Sequence, residues 1–252
     1  MLREADLIIP QWPAPSRVRA RVTTRAGGVS ESPFDTLNLG GHVGDAPSAV
    51  AENRRYLQSL LGDSVCCHWM EQVHGTGVFR CDGQDPARVA EADAAVATEP
   101  YRACLVMTAD CLPVLFAARD GSAVGAAHAG WRGLANGVLE AALASLPVKA
   151  SEVLCWLGPA IGPAHFEVGE EVREAFTTID PAATHCFLPG QAPGKWLADL
   201  YALARLRLGR AGVTGVYGGD FCTYAERRRF YSYRRDGRTG RMASLIWLAD
   251  EA

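Results

Sequence analysis

Apolar and polar positions alternate from Arg17 to Thr24, with Val18 and Val22 in phase, which predicts a strand. Apolar runs at 64–69, 93–97, 103–108, 112–118, 122–128, 152–157 and 213–217 have strand length and end in turn-forming residues. Residues 26–44 follow neither period and are rich in glycine and proline, so an irregular loop is expected there. Asp45-Ala46-Pro47 then opens a helix that runs to about Leu61, with Val50, Leu57, Leu60 and Leu61 on one side. Helical spacing recurs over roughly 132–146, 168–179 and 195–210. Strand follows strand from 93 to 128. The expected fold class is therefore α/β or α+β with a mixed sheet, not a regular doubly wound sheet. No repeat or linker interrupts the pattern, and 1–252 is expected to form one domain.

Composition narrows the function classes. With 48% hydrophobic and 21% charged residues, the chain can bury a sizeable core and is not disordered. A net charge of −3 and a pI near 6.1 give no general affinity for nucleic acid. The most apolar stretch, Ala103 to Ala118, is cut by Asp110 and is too short for a membrane span. The start, Met-Leu-Arg-Glu-Ala-Asp, leads into a run of only three apolar residues before Pro10, so no export signal is read, and a soluble, cytoplasmic, monomeric protein is expected. The eight cysteines are then expected as thiols. Cys66-Cys67 are vicinal, and no Cys-x-x-Cys occurs to suggest a zinc ribbon. Gly190 to Trp196 looks like a phosphate loop but is one residue short and has Trp196 where a hydroxyl should bind magnesium.

The chemistry concentrates around Cys111 and His128. Asp120-Gly121 between two apolar runs predicts a hairpin with a two-residue turn, in which Arg119 faces Ser122. Cys111 then lies opposite Gly130, and His128 shares its face as a diagonal neighbour, roughly 7–8 Å away between Cα atoms. Pro113 suits a strand start or an edge. A thiolate and an imidazole so placed can share a metal or form a nucleophile–base pair. His74, in a glycine-flanked loop after a strand, is a candidate third ligand. Two histidines and a cysteine leave one tetrahedral position open, the catalytic pattern for zinc, and the same set also suits copper. Each residue also has an ordinary structural reading, a buried apolar cysteine or a hydrogen-bonded histidine. Gly130 and Gly133 allow close backbone approach, and the helix start beside them is expected to receive an anion.

Six motifs occur in order: Thr24-Arg25-Ala26-Gly27-Gly28-Val29-Ser30, Asn38-Leu39-Gly40, Gln72-Val73-His74-Gly75, Ala109-Asp110-Cys111-Leu112-Pro113, His128-Ala129-Gly130-Trp131-Arg132-Gly133 and Phe230-Tyr231-Ser232-Tyr233-Arg234-Arg235. In these the chain resembles the YfiH family, also called the laccase-domain or multicopper polyphenol oxidase family, from about Arg21 to Trp247. The resemblance implies a single-domain layered α-β-β-α sandwich. It implies metal ligands at His74, Cys111 and His128, holding zinc, with copper possible. It further implies phosphorolysis of adenosine, inosine, guanosine and methylthioadenosine to base and ribose 1-phosphate, together with adenosine deamination. Arg25, Asn38, Arg54, Gln72 and Asp110, in or beside these motifs, are the expected substrate-binding residues. Arg25 with the Gly27-Gly28 turn and Ser30 is expected to hold an oxyanion. Family members often carry paired cysteines where this chain has Gly162 to Val168, so His165 is read as a local substitute rather than a ligand.

Four-copper oxidation is disfavoured, because the chain has six histidines and no His-x-His pair. Three other classes stay open: a copper-dependent, laccase-like polyphenol oxidase, a Cys–His hydrolase or amidase acting on cell-wall intermediates, and a noncatalytic metal-binding or copper-buffering protein. The segment from Ala225 to Arg241, with seven arginines among Phe230, Tyr231 and Tyr233, is read as a twisted strand pair around Asp236-Gly237, its arginines solvated or paired with acidic residues and some of them able to border the nucleoside site. Nucleosides and phosphate, not nucleic acid or membrane, are the expected partners.

Overall fold

The structure is a computed structural model and describes residues 2–250; Met1 and residues 251–252 of the expected 1–252 domain lie outside the described residues. Two stacked sheets form its centre. One has five strands in the order β1 (Leu7–Ile8), β2 (Val18–Thr23), β16 (Met242–Leu248), β8 (Arg102–Thr108) and β3 (Cys66–His68). The other has six, β15 (Gly215–Gly218), β11 (Val153–Leu157), β9 (Leu112–Ala118), β10 (Val124–Ala129), β7 (Ala94–Ala97) and β5 (Val78–Arg80). Both mix parallel and antiparallel neighbours.

The sheets face one another through Val22, Cys104, Val106 and Ile246 on one side and Ala95, Leu115, Ala117 and Ala126 on the other. Burial on both faces explains why β9 is apolar without alternation. The outer face of the five-stranded sheet is covered by α1 (Pro47–Leu61) and by Leu37 and Leu39 of the long loop. The outer face of the six-stranded sheet carries α2 (Trp131–Asn136), α3 (Val138–Ala144), α4 (Glu170–Thr177) and α5 (Leu200–Arg210). This is the layered α-β-β-α arrangement. A pair β4 (Met70–Glu71) and β6 (Ala90–Glu91) and a trio β12 (Glu167–Gly169), β14 (Lys195–Ala198) and β13 (Phe187–Pro189) flank the sandwich. Among the described residues no helix is long and apolar enough to cross a membrane.

Several expectations are corrected by local physics. The hairpin keeps its expected register, with Val124 opposite Ala117 and His128 opposite Pro113. Its turn is wider, however: the ladder ends at Ala117–Val124, the Ala118 N–H still donates to the Ala123 carbonyl, and the Arg119 N–H donates to the Glu152 carbonyl on the other side. The helix expected over 132–146 breaks at Gly137, whose φ of +100° favours glycine. Residues 195–198 are a strand, not helix, and α5 starts only after Asp199 caps the Ala202 N–H. Residues 225–241 form no strand pair. Tyr231 and Phe230 are fully buried there, and the Tyr231 hydroxyl donates to the Phe34 carbonyl at 2.6 Å. The aromatic anchors pull this segment across the molecule, and Asp236 ends a single helical turn, α6 (Tyr233–Asp236).

Candidate metal centre and its cavity

The hairpin brings Cys111 and His128 together at the end of the six-stranded sheet, and the loop after β4 adds His74. One ligand atom from each lies within 4.8 Å of the others. Cys111 Sγ is 3.9 Å from His74 Nε2, and the two imidazoles meet edge to face with centroids 4.7 Å apart. Space for an ion is kept by Gly130. A Cβ there would stand 2.9 Å from His74 Cδ2, 3.0 Å from Cys111 Sγ and 3.6 Å from His128 Nε2. Two imidazoles and a thiolate around a position that only glycine leaves clear fit a zinc- or copper-type ion. Gly133 serves the same loop, since a Cβ there would press on the Gly75 carbonyl at 2.9 Å. The helix whose start was expected to receive an anion, α2, is only six residues long, and its Gly130 end faces the ligand trio.

A fourth residue, absent from the sequence reading, stands behind the trio. Asp93 is fully buried and its Oδ1 lies 2.8 Å from His128 Nδ1. Its carboxylate also accepts the backbone N–H groups of Val73, His74 and Gly75. His74 itself sits at φ +61°, a left-handed conformation uncommon outside glycine. Burial pushes the Cys111 thiol up, but the adjacent His128 charge and hydrogen bonds from His128 and His74 override it and bring it down to about 6. Burial likewise opposes charge on His128, and Cys111 and Asp93 outweigh it and hold the ring proton well above the ordinary histidine range. The metal-free site is thus a thiolate–imidazolium pair. In chelator-treated protein, iodoacetamide should alkylate Cys111 with a midpoint near pH 6. The thiolate persists above that pH and is lost as pH falls through it; a midpoint near 9 would remove the pairing.

The trio opens into a cavity of about 810 Å³. Its walls include Trp69, Trp131, Phe166 and Tyr233, and three guanidinium groups reach it from Arg54, Arg234 and Arg241. None of these three pairs with a carboxylate among the described residues. Arg54 lies over the Trp69 ring at 3.8 Å and donates to the Leu39 carbonyl. Arg241 donates to the carbonyls of Thr239 and Gly240, and burial lowers its pKa. Arg234 donates to the Glu167 carbonyl.

The other expected binding residues divide. Gln72 lines the cavity, but its amide is spent on Met107, donating to the carbonyl at 2.9 Å and accepting the N–H at 2.7 Å. Asp110 also lines it, at φ +91°, and its carboxylate accepts from Thr223 Oγ1, Ser232 Oγ and the Arg234 N–H. Asn38 is buried behind the wall and braces Gly40, Asp45 and the Arg241 N–H. Arg25 stands apart from the cavity. It faces a separate depression with Arg227 and Arg238, and its guanidinium is committed to Asp35 at 3.0 Å and to the Arg227 carbonyl. Ser30, expected beside it, donates to Asp45 instead. His165 stacks on Tyr224 with centroids 4.6 Å apart and is not part of the trio.

A family model for the multi-copper polyphenol oxidoreductase laccase matches residues 19–249. A purine nucleoside phosphorylase of Pseudomonas aeruginosa is 58% identical over 243 residues, 96% of this chain and 98% of that protein. The Escherichia coli purine nucleoside phosphorylase YfiH is 53% identical over 97% of this chain and 99% of its own length. Among solved structures, a Neisseria meningitidis protein superposes with a TM-score of 0.92 at 51% identity, covering 97% of this chain and all of that one. A Bacillus licheniformis YfiH protein gives 0.87 at 31% identity, over 92% of each chain. With the match running through both sheets, the cavity and every ligand of the trio, the chain belongs to the multi-copper polyphenol oxidoreductase laccase family, among YfiH-type proteins.

Proposed function

We propose that this chain is a zinc-dependent purine nucleoside phosphorylase with adenosine deaminase activity, and that residues 1–252 work as one catalytic domain. The observation that carries the reading is a single cavity that combines the His74–Cys111–His128 trio, aromatic walls and three guanidiniums that form no ion pair among the described residues. The names of the relatives, at up to 58% identity, support the same chemistry. Trp69, Trp131, Phe166 and Tyr233 offer flat faces for a purine. Arg54, Arg234 and Arg241 offer charge-assisted hydrogen bonds to phosphate, the role that the sequence suggested for Arg25. In phosphorolysis a phosphate oxygen bonds to the ribose C1′ as the bond to the base breaks, and the purine leaves with the electron pair. A zinc ion held by the trio would supply a Lewis acid with one open position. Adenosine, inosine, guanosine and methylthioadenosine are the proposed substrates.

A second reading has its own observation. Cys111, His128 and Asp93 are arranged as nucleophile, base and orienting carboxylate, the order that a cysteine hydrolase needs. Close packing of a third donor, His74, favours the metal. With adenosine and phosphate, the zinc-replete protein should release adenine and ribose 1-phosphate. Without phosphate, adenine release should fall sharply while inosine and ammonia persist, because water is the deaminase's co-substrate. Absence of both adenine and inosine, with rapid alkylation of Cys111 in the zinc-replete protein, would instead establish the hydrolase.

A further inference from the structure

We infer that Asp93 is the positioning residue for both imidazoles of the metal centre, because one buried carboxylate joins His128 Nδ1 to the three successive N–H groups of the turn that carries His74. The inference rests on the metal reading of the trio and not on which nucleoside is turned over. Four donors converge on its two oxygens. Oδ1 accepts from His128 Nδ1 at 2.8 Å and from the His74 N–H at 3.0 Å. Oδ2 accepts from the Val73 and Gly75 N–H groups at 3.2 and 2.6 Å. No water can substitute, since Asp93 is 0% exposed.

The two effects are separable in chemistry. A proton held on His128 Nδ1 leaves Nε2 with its lone pair, and Nε2 is the atom that faces Gly130 and the trio. The three backbone bonds hold His74 in its left-handed conformation, so its Nε2 stays beside Cys111. The main chain of Asp93 adds to the brace: its carbonyl accepts the His128 N–H at 2.7 Å, and its own N–H donates to Gly77. The carboxylate therefore ties together the loop after β4, the start of β7 and the end of β10, the segments that bring two of the three ligands.

Asparagine has the same shape with one acceptor replaced by a donor. If its NH2 faces Val73 and Gly75, the His74 turn loses its clamp. If it faces His128, the ring must accept at Nδ1 and carry its proton on Nε2, which removes that nitrogen as a ligand. Either orientation costs one imidazole.

The test uses zinc alone, with no substrate. Competition against a chromogenic chelator should show that Asp93→Asn binds zinc roughly 10–100-fold more weakly than wild type. Nitrogen-15 NMR of the zinc-loaded wild type should show a slowly exchanging proton on His128 Nδ1. Asp93→Asn protein with wild-type zinc affinity would overturn the inference, as would a bare Nδ1 in the zinc-loaded wild type. If Asp93→Asn does not fold, the wild-type NMR measurement decides. Failure of wild type to bind zinc would overturn the metal reading itself, whereas failure to turn over nucleosides would leave this result standing.

Discussion

The Cys111→Ala protein is expected to lose stoichiometric zinc and to release neither adenine nor inosine above background, while keeping its fold. A thiolate is the only anionic donor in the trio, and an open three-ligand site without it has two neutral imidazoles. Loss of a direct ligand should exceed the roughly 10–100-fold fall in metal affinity typical of outer partners. Stability should change little. Cys111 is half-buried, lies just before β9 and makes no backbone-directed bond, so the metal-free proteins should differ by about 1 kcal/mol or less. Metal content after gel filtration, product chromatography and thermal melts of chelated samples measure the three claims. Full zinc in Cys111→Ala would remove the thiolate from the ligand set. Unfolding of the variant would make the site structural instead.

Arg241→Ala is expected to raise the KM for phosphate by about 10–150-fold, which corresponds to losing a charge-assisted hydrogen bond of roughly 1.5–3 kcal/mol. Its guanidinium is drawn from water and, among the described residues, forms no ion pair with a carboxylate, which makes a bound anion a fitting counter-charge. Arg241→Lys should recover only part of the loss, because an ammonium keeps the charge and gives up the planar fork. Arg25→Ala should leave the phosphate KM unchanged and lower stability, since Arg25 ties Asp35 and Arg227 together and lies against Tyr231. Phosphate titration at saturating adenosine separates the two arginines. The reverse pattern would move the phosphate subsite to the Arg25 depression.

The hairpin and the meeting of Cys111 with His128 were legible because both depend on local information, whereas His74 was a candidate from its glycine-flanked loop and the family motif. Register from Cys111 to His128 needs only strand alternation and a turn, and it survived a turn wider than Asp120-Gly121 suggested, because the Ala118–Ala123 pair preserves the same opposition. Asp93 was not legible in this way. It meets His128 through the pairing of β7 with β10, a contact that no short window contains. Its one signal was a lone carboxylate at the head of the apolar run Ala94–Ala97. Arg234 and Arg241 were legible only as part of a segment some of whose arginines could border the site, and were not singled out, for a different reason. Their segment reads as a solvated basic stretch until Phe230 and Tyr231 are seen buried beneath it. Arg25 misled because a basic residue in a glycine-rich motif does not reveal whether a nearby acid, here Asp35, already neutralises it. Asn38 and Gln72 sit in site motifs for the backbone they brace.

Strand β16 sits between β2 and β8, pairing Ser244 with both Val22 and Val106. During synthesis, the first two partners leave the ribosome long before the strand that joins them. The five-stranded sheet therefore closes only after residues 242–248 emerge, and until then β2 and β8 expose unpaired edges. Arg241, one residue ahead of β16, enters the cavity with that closure. A nascent chain can hold His74, Cys111 and His128 in its finished hairpin and loop, yet Arg241, proposed here to bind phosphate, joins the cavity only with β16. Chaperone dependence during translation should accordingly track the delay before β16 docks, and a circular permutant that joins β16 directly to β2 should fold with shorter-range contacts and less aggregation.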